Sequence, residues 1–186
     1  MSTGFFDIET QNLFADVGGR GGLEKLRLSV AGLIVDDQPC CFYEEEDASD
    51  LIDVLSGLDL IVGHNLLRFD YPVLTPYDDK RLLPKLVPKT LDTWAYIYCR
   101  TQEMVSLNNL TRNNIGFAKS GYGGDMPRLW REGKKDEVKE YNRHDVELTK
   151  GVYLHGVQKG YVWYTSRRKA DEDPGADPRV KLEVDW

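Results

Sequence analysis

Gly4-Phe5-Phe6-Asp7-Ile8-Glu9-Thr10 is the stretch on which the fold turns. A strand repeats every two residues, so Phe5, Asp7 and Glu9 share one face and Phe6 and Ile8 the other. Two carboxylates side by side at the end of an otherwise apolar strand are costly unless a cation or a proton neutralises them. Solvent-facing acids are the plain alternative, and the pair alone leaves both readings standing.

Working outward, Gly18-Gly19-Arg20-Gly21-Gly22 is a loop signal without the Lys-Ser/Thr that would make it a phosphate-binding loop. Residues 28–35 (LSVAGLIV) and 39–43 read as strands joined across Asp36-Asp37, which gives an antiparallel meander with the first strand. Residues 48–58 have helical spacing. Leu60-Ile61-Val62 ends at Gly63 and has the wholly apolar character of a buried central strand. A helix is predicted over 65–74, a short strand at Thr90-Leu91-Asp92 and a helix over 93–100. Ser106 is placed to cap a helix over 107–115 that stops at Gly116, and one long helix covers 134–158. Residues 167–178, with Pro174 and Pro178, read as a charged linker, and 179–186 alternates as an edge strand or docking tail. Three strands followed by alternating helices and strands predict an α/β fold, a mixed β-sheet with flanking α-helices. The expected division is one domain over 1–166 and the linker and tail over 167–186.

The bulk properties set limits. At 186 residues the chain is long enough for a real core, and its 41% hydrophobic content exceeds what disorder requires. No run is long enough to cross a bilayer, and MSTGFFDIET has neither a charged n-region nor an apolar h-region, so a cytoplasmic protein with no membrane partner is expected. Cys40, Cys41 and Cys99 lack metal-ligand spacing, which predicts reduced thiols. A net charge of −7 excludes a generally basic nucleic-acid binder but leaves room for a local groove that holds cations.

Two further acids stand in suggestive places. In Ile61-Val62-Gly63-His64-Asn65-Leu66-Leu67-Arg68-Phe69-Asp70, a buried strand turns at Gly63, and Asp70 falls about one and a half turns into the predicted helix. Asn65 at the corner is either an N-cap or a donor to a sugar or phosphate. In Tyr141-Asn142-Arg143-His144-Asp145, Tyr141 and Asp145 lie at i and i+4, on one side of the long helix. Taken singly, Tyr141 reads as a half-buried aromatic and Asp145 as a surface acid. It is their order and combination with Asp7 and Glu9 that point to a joint site.

With these residues in place, the chain resembles the DEDD superfamily of 3′–5′ exonucleases over roughly residues 4–155. Asp7 and Glu9 match the first motif, Asp70 the second and Asp145 the third. Tyr141, four before Asp145, matches the tyrosine branch (DEDDy). The histidine branch would want His where Glu140 stands, and His144 does not fit that role. Leu91-Asp92-Thr93 and Ser106-Leu107-Asn108-Asn109-Leu110 are similar to the family's region between the second and third motifs. The chain is more closely similar to bacterial exonuclease domains of the YprB type, some of which occur beside helicases.

The resemblance implies a ribonuclease H-like fold and hydrolysis of phosphodiester bonds by two divalent cations, Mg²⁺ or Mn²⁺, held by Asp7, Glu9, Asp70 and Asp145. Asp7 would be shared between the ions and Tyr141 would orient the attacking water. The expected substrate is the 3′ end of single-stranded DNA or RNA, with Thr10, His64, Asn65 and Phe69 as contacts and Arg68, Arg112 and Lys119 as further phosphate candidates. Asp92 is expected to be structural. Trp94, Tyr96 and Tyr98 are expected in core and rim, and Trp163 and Tyr164 against the Trp186 strand. A monomer is expected, with a helicase or other repair protein as partner. The competing readings are a catalytically silent nucleic-acid-binding module and a ribonuclease H-like endonuclease.

Overall fold

The computed structural model describes residues 1–117 and 123–186. A five-stranded sheet forms the centre: β1 (Thr3–Thr10), β2 (Leu28–Val35), β3 (Cys41–Glu44), β4 (Leu60–Gly63) and β5 (Thr90–Asp92), in the order β3-β2-β1-β4-β5. The first three strands are the expected antiparallel meander, while β4 runs parallel to β1 and β5 parallel to β4. The connections carry α1 (Ala48–Gly57), α2 (Asp70–Leu74) and α3 (Leu83–Leu86). After β5 come α4 (Thr93–Thr101), α5 (Leu107–Asn114), α6 (Met126–Arg131) and α7 (Lys135–Lys159). The chain closes with β6 (Tyr161–Thr165), α8 (Arg167–Glu172) and β7 (Arg179–Glu183). No helix among the described residues is long and apolar enough to cross a membrane.

The period of two in β1 divides the core. Phe6 and Ile8 point to one side, where Leu33 and Ile61 meet Leu51, Ile52 and Leu55 of α1 and Val73 and Leu74 of α2. Phe5 points to the other, where Ile34 and Val62 meet Val146 of α7. Further along that side, Val30 packs with Met126, Val138 and Tyr141. Gly32 lies opposite Asp7 in the sheet, and a Cβ there would collide with Oδ1 of Asn142. The absent side chain is what lets α7 lie close against β1 and β2.

Two expectations are corrected. The helix predicted over 65–74 begins only at Asp70. Asn65 adopts a left-handed φ of 75°, and the Leu66 side chain folds over Gly63, where a Cβ would clash with it. Pro72 gives the reason: deep inside a ten-residue helix it would remove a hydrogen bond and clash, whereas in the first turn of a helix starting at Asp70 its missing N–H costs nothing. Asp70 therefore opens its helix and does not sit inside it. The stretch expected as a linker holds α8, capped by Ser166, whose Oγ accepts from Lys169 N at 3.0 Å.

β6 has no counterpart in the sequence reading. It pairs antiparallel with β7, which sets Trp163 opposite Lys181 and Tyr164 opposite Val180. Its other edge is covered by side chains of α5. Asn109 donates to Thr165 O and accepts from Thr165 N, both at 2.8 Å. Asn114 treats Trp163 in the same way at 2.7 Å. Two carboxamides thus take the hydrogen bonds that a third strand would make. Trp186 packs on Tyr96, 4.7 Å between ring centroids, and donates to Tyr153 O, while Asp185 accepts from the Tyr96 hydroxyl.

All three cysteines are free thiols, as expected. Burial pushes the Cys40 thiol up to about 11, with the neighbouring Cys41 adding to the shift, whereas Cys41 and Cys99 are exposed. Since the thiolate is the reactive form, Cys40 stays protonated at pH 8. Two thiols per chain are therefore expected to react quickly with an aromatic disulfide reagent in native buffer, the third only on unfolding. Three fast thiols would contradict this.

Candidate active site

The carboxyl-terminal end of β1, the start of α2, the amino-terminal half of α7 and the β4–α2 corner converge on a cleft of about 720 Å³. Asp7, Glu9, Tyr141 and Asp145 line it, as do Thr10, His64, Asn65 and Phe69. Each position follows from local geometry. Strand alternation puts Asp7 and Glu9 on the face covered by α7, and the i, i+4 spacing turns Tyr141 and Asp145 towards them. One carboxylate oxygen each from Asp7, Glu9 and Asp145 falls within 4.8 Å of the others.

Asn142 reaches the same place from α7. Fully buried, it donates Nδ2 to both the carbonyl and Oδ2 of Asp7 at 3.0 Å, which fixes the orientation of that carboxylate. The sequence reading passed over it.

Asp70 stands apart from the other three acids. It is 1% exposed, lies outside the cleft lining and accepts the Ile8 N–H at 3.2 Å. Burial raises its pKa well above the usual carboxylate range, and the charges of Asp7 and Asp92 push the same way. This arrangement of like carboxyls, one desolvated beside another, suits a divalent cation. Hard oxygen donors match Mg²⁺ or Mn²⁺ better than softer metals, so the residues present fit the implied ions.

Asp92 is the anchor of the cleft's far wall. Oδ1 accepts from Asn65 N at 2.8 Å, Trp94 N at 3.0 Å and Ala95 N at 3.1 Å, while Oδ2 accepts from Leu67 N at 3.0 Å. One side chain thus caps α4 and holds the corner that carries His64, Asn65 and Phe69. Next to it, the Thr93 hydroxyl donates to Gly63 O at 3.0 Å, so the 2.9 Å contact to His64 Nδ1 must be donated by the imidazole. Nε2 of His64 is then the acceptor. The Thr10 hydroxyl donates to Asn12 O at 2.9 Å, so its contribution to the cleft is mainly positional.

Among the weaker candidates, Arg68 lines the cleft and lies over the Trp94 ring at 4.5 Å. Trp94 also lines it and stacks on Tyr98 at 5.0 Å, whereas Tyr96 packs on Trp186. Arg112 is on α5, outside the lining, and Lys119 lies outside the described residues. The sequence reading missed Leu13, Phe14, Met104, Asn108 and Arg167, all of which line the cleft. They come from connecting segments without periodicity, so no spacing signal marks them.

No family model and no curated protein matches the chain in sequence. Among solved structures it is similar to the family B DNA polymerase of the hyperthermophilic archaeon Pyrobaculum calidifontis, with a TM-score of 0.63 and 15% identity. The match covers 84% of this chain but 24% of the polymerase, so the chain spans about a quarter of that protein's length. The likeness is one of fold, and with the strand order and the flanking helices it identifies a mixed α/β domain of the ribonuclease H-like kind.

Proposed function

We propose that the chain is a metal-dependent 3′–5′ exonuclease of the tyrosine branch of the DEDD superfamily, acting on single-stranded DNA or RNA. The observation that carries this reading is the convergence of Asp7, Glu9 and Asp145 at one cleft with Tyr141, from elements more than 130 residues apart in sequence. The YprB-type subclass accords with the same motifs.

In this reading Asp7, Glu9 and Asp145 hold one divalent cation, and Asp70 acts on a second from behind Asp7. Bound there, such ions would supply a nucleophilic water at neutral pH and neutralise charge on the phosphodiester. The protein's own residues do the rest. Asn142 holds Asp7 in one orientation, and Tyr141, 7% exposed, presents its hydroxyl to the cleft and orients the attacking water. His64, Asn65 and Phe69 line the wall where a terminal nucleotide would rest, Phe69 by ring contact. Cytoplasmic location, a monomeric state and a helicase or repair partner belong to the same proposal, as does the division into a catalytic domain and a carboxyl-terminal tail.

The test is degradation of single strands labelled at the 5′ or the 3′ end, as DNA and as RNA, with Mg²⁺, Mn²⁺ or a chelator. A 5′-labelled strand is expected to shorten in single-nucleotide steps while a 3′ label is released as a mononucleotide, and chelator should stop both. Cutting of a circular single strand would replace exonuclease with endonuclease. No hydrolysis under any of these conditions would leave the silent binding module.

A further inference from the structure

A second, smaller cavity of about 290 Å³ opens off the cleft, lined by Phe14, Leu23, Asn65, Arg68 and Phe69. Phe14, Asn65, Arg68 and Phe69 belong to both spaces, so whatever occupies one borders the other. Its walls and its polar end have different chemistry. Phe14 and Phe69 meet edge to face at 5.8 Å between centroids, and with Leu23 they make flat apolar surfaces. At the other end stand the Asn65 carboxamide and the Arg68 guanidinium, neither of which makes a side-chain hydrogen bond or ion pair among the described residues. The cavity is close to the lower bound of small-molecule sites, about 300 Å³, which suits one planar ring system and not a stretch of chain.

We propose that this side pocket binds a purine base of the nucleic-acid strand in the cleft, at the terminal or the adjacent nucleotide. The proposal rests on the nuclease reading for its placement and adds base selectivity to it. Apolar flat walls take the faces of a base, and amide and guanidinium groups read its edge. Arginine donates in a fork to N7 and O6 of guanine, and asparagine pairs with N7 and N6 of adenine. N7 is common to both purines and absent from pyrimidines.

Arg68 is pre-organised for this task. Stacking on Trp94 at 4.5 Å uses the face of the guanidinium and leaves its edge N–H donors in plane, aimed away from the indole. The Asn65 backbone is held in its left-handed conformation by the bond from its N–H to Asp92, so its side chain starts from a fixed base. A lysine at position 68 would keep the charge and lose the fork.

The experiment compares kcat/KM on pyrimidine oligonucleotides carrying one purine at the last or the next-to-last position, for the wild type, Arg68→Lys and Arg68→Ala. The wild type is expected to favour the purine on the order of tenfold at one of the two positions. In both variants that ratio should fall close to one. Equal rates for purine and pyrimidine at both positions would overturn the proposal while leaving the nuclease reading intact, and so would a preference that survives Arg68→Lys. If no strand is hydrolysed at all, the nuclease reading fails and fluorescence anisotropy decides the pocket on its own. Tighter binding of oligopurine than of oligopyrimidine, lost in Arg68→Lys, would support it. Equal binding or no binding would overturn it. Arg68 is exposed, so both variants are expected to fold, with thermal melting as the control.

Discussion

Replacing Asp7 with alanine is expected to cut phosphodiester hydrolysis about a thousand-fold or more while leaving the protein folded. A ligand shared by two ions supports several kcal/mol of transition-state stabilisation, and each 1.36 kcal/mol is a factor of ten in rate. The fold should tolerate the change. Asp7 adds to the unfavourable field on Asp70 and lies in a tight group with Glu9 and Asp145, so removing it relieves repulsion. What is lost on the protein side is the Asn142 contact, one hydrogen bond to the side chain of Asp7. Thermal melting separates activity from stability. Added Mg²⁺ should raise the wild-type melting temperature, because a cation that binds only the native state stabilises it, and Asp7→Ala should lose that rise. A variant that keeps near-wild-type hydrolysis, or the same Mg²⁺ response, would remove Asp7 from the site.

The largest stability effect is expected at Asp92, a residue that touches no substrate. Its two oxygens collect four backbone N–H groups from two separate segments. Asp92→Ala leaves these donors unpaired in a half-buried place and is expected to cost about 3–5 kcal/mol. For a chain of this size that corresponds to a drop in melting temperature of roughly 10 °C. Asp92→Asn separates charge from shape. The amide fits the same space but has one accepting oxygen, and its NH₂ must then face either the Leu67 N–H or the three donors at Oδ1. A loss close to that of alanine is expected by thermal melting, along with weakened binding of single strands, because the corner with His64, Asn65 and Phe69 is no longer held. An unchanged melting temperature in both variants would show that water replaces the carboxylate without penalty.

Much of this site was legible in the sequence, for physical reasons. Asp7 and Glu9 sit on a strand whose alternation is clean, and Tyr141 and Asp145 sit on a long helix of regular period. In such elements the facing of a side chain follows from residue number alone. Asp70 was assigned to the right neighbourhood but to the wrong part of its helix. The Leu66–Phe69 run has helical spacing, and the cue against it was Pro72 together with the tight turn at Gly63. Asn142 was invisible because its partner lies 135 residues away and nothing in its own spacing predicts the contact. The same holds for Phe14, Met104 and Arg167, which loops bring to the cleft. β6 escaped notice because five residues after a helix end at Gly160, φ 73°, carry too short a pattern to separate strand from coil.

The carboxamide cover on β6 bears on how copies of this chain can stack. An open strand edge is a template for further pairing, and a small sheet with two open edges can in principle grow without limit. Here Asn109 and Asn114 occupy one edge, which leaves β7 as the open side of the β6–β7 pair. Pairing through β7 would bring two copies together about a twofold axis and produce a four-stranded sheet with both outer edges already covered. Growth along that sheet stops at two, so two side chains on a neighbouring helix turn an open-ended polymerisation into a closed pair.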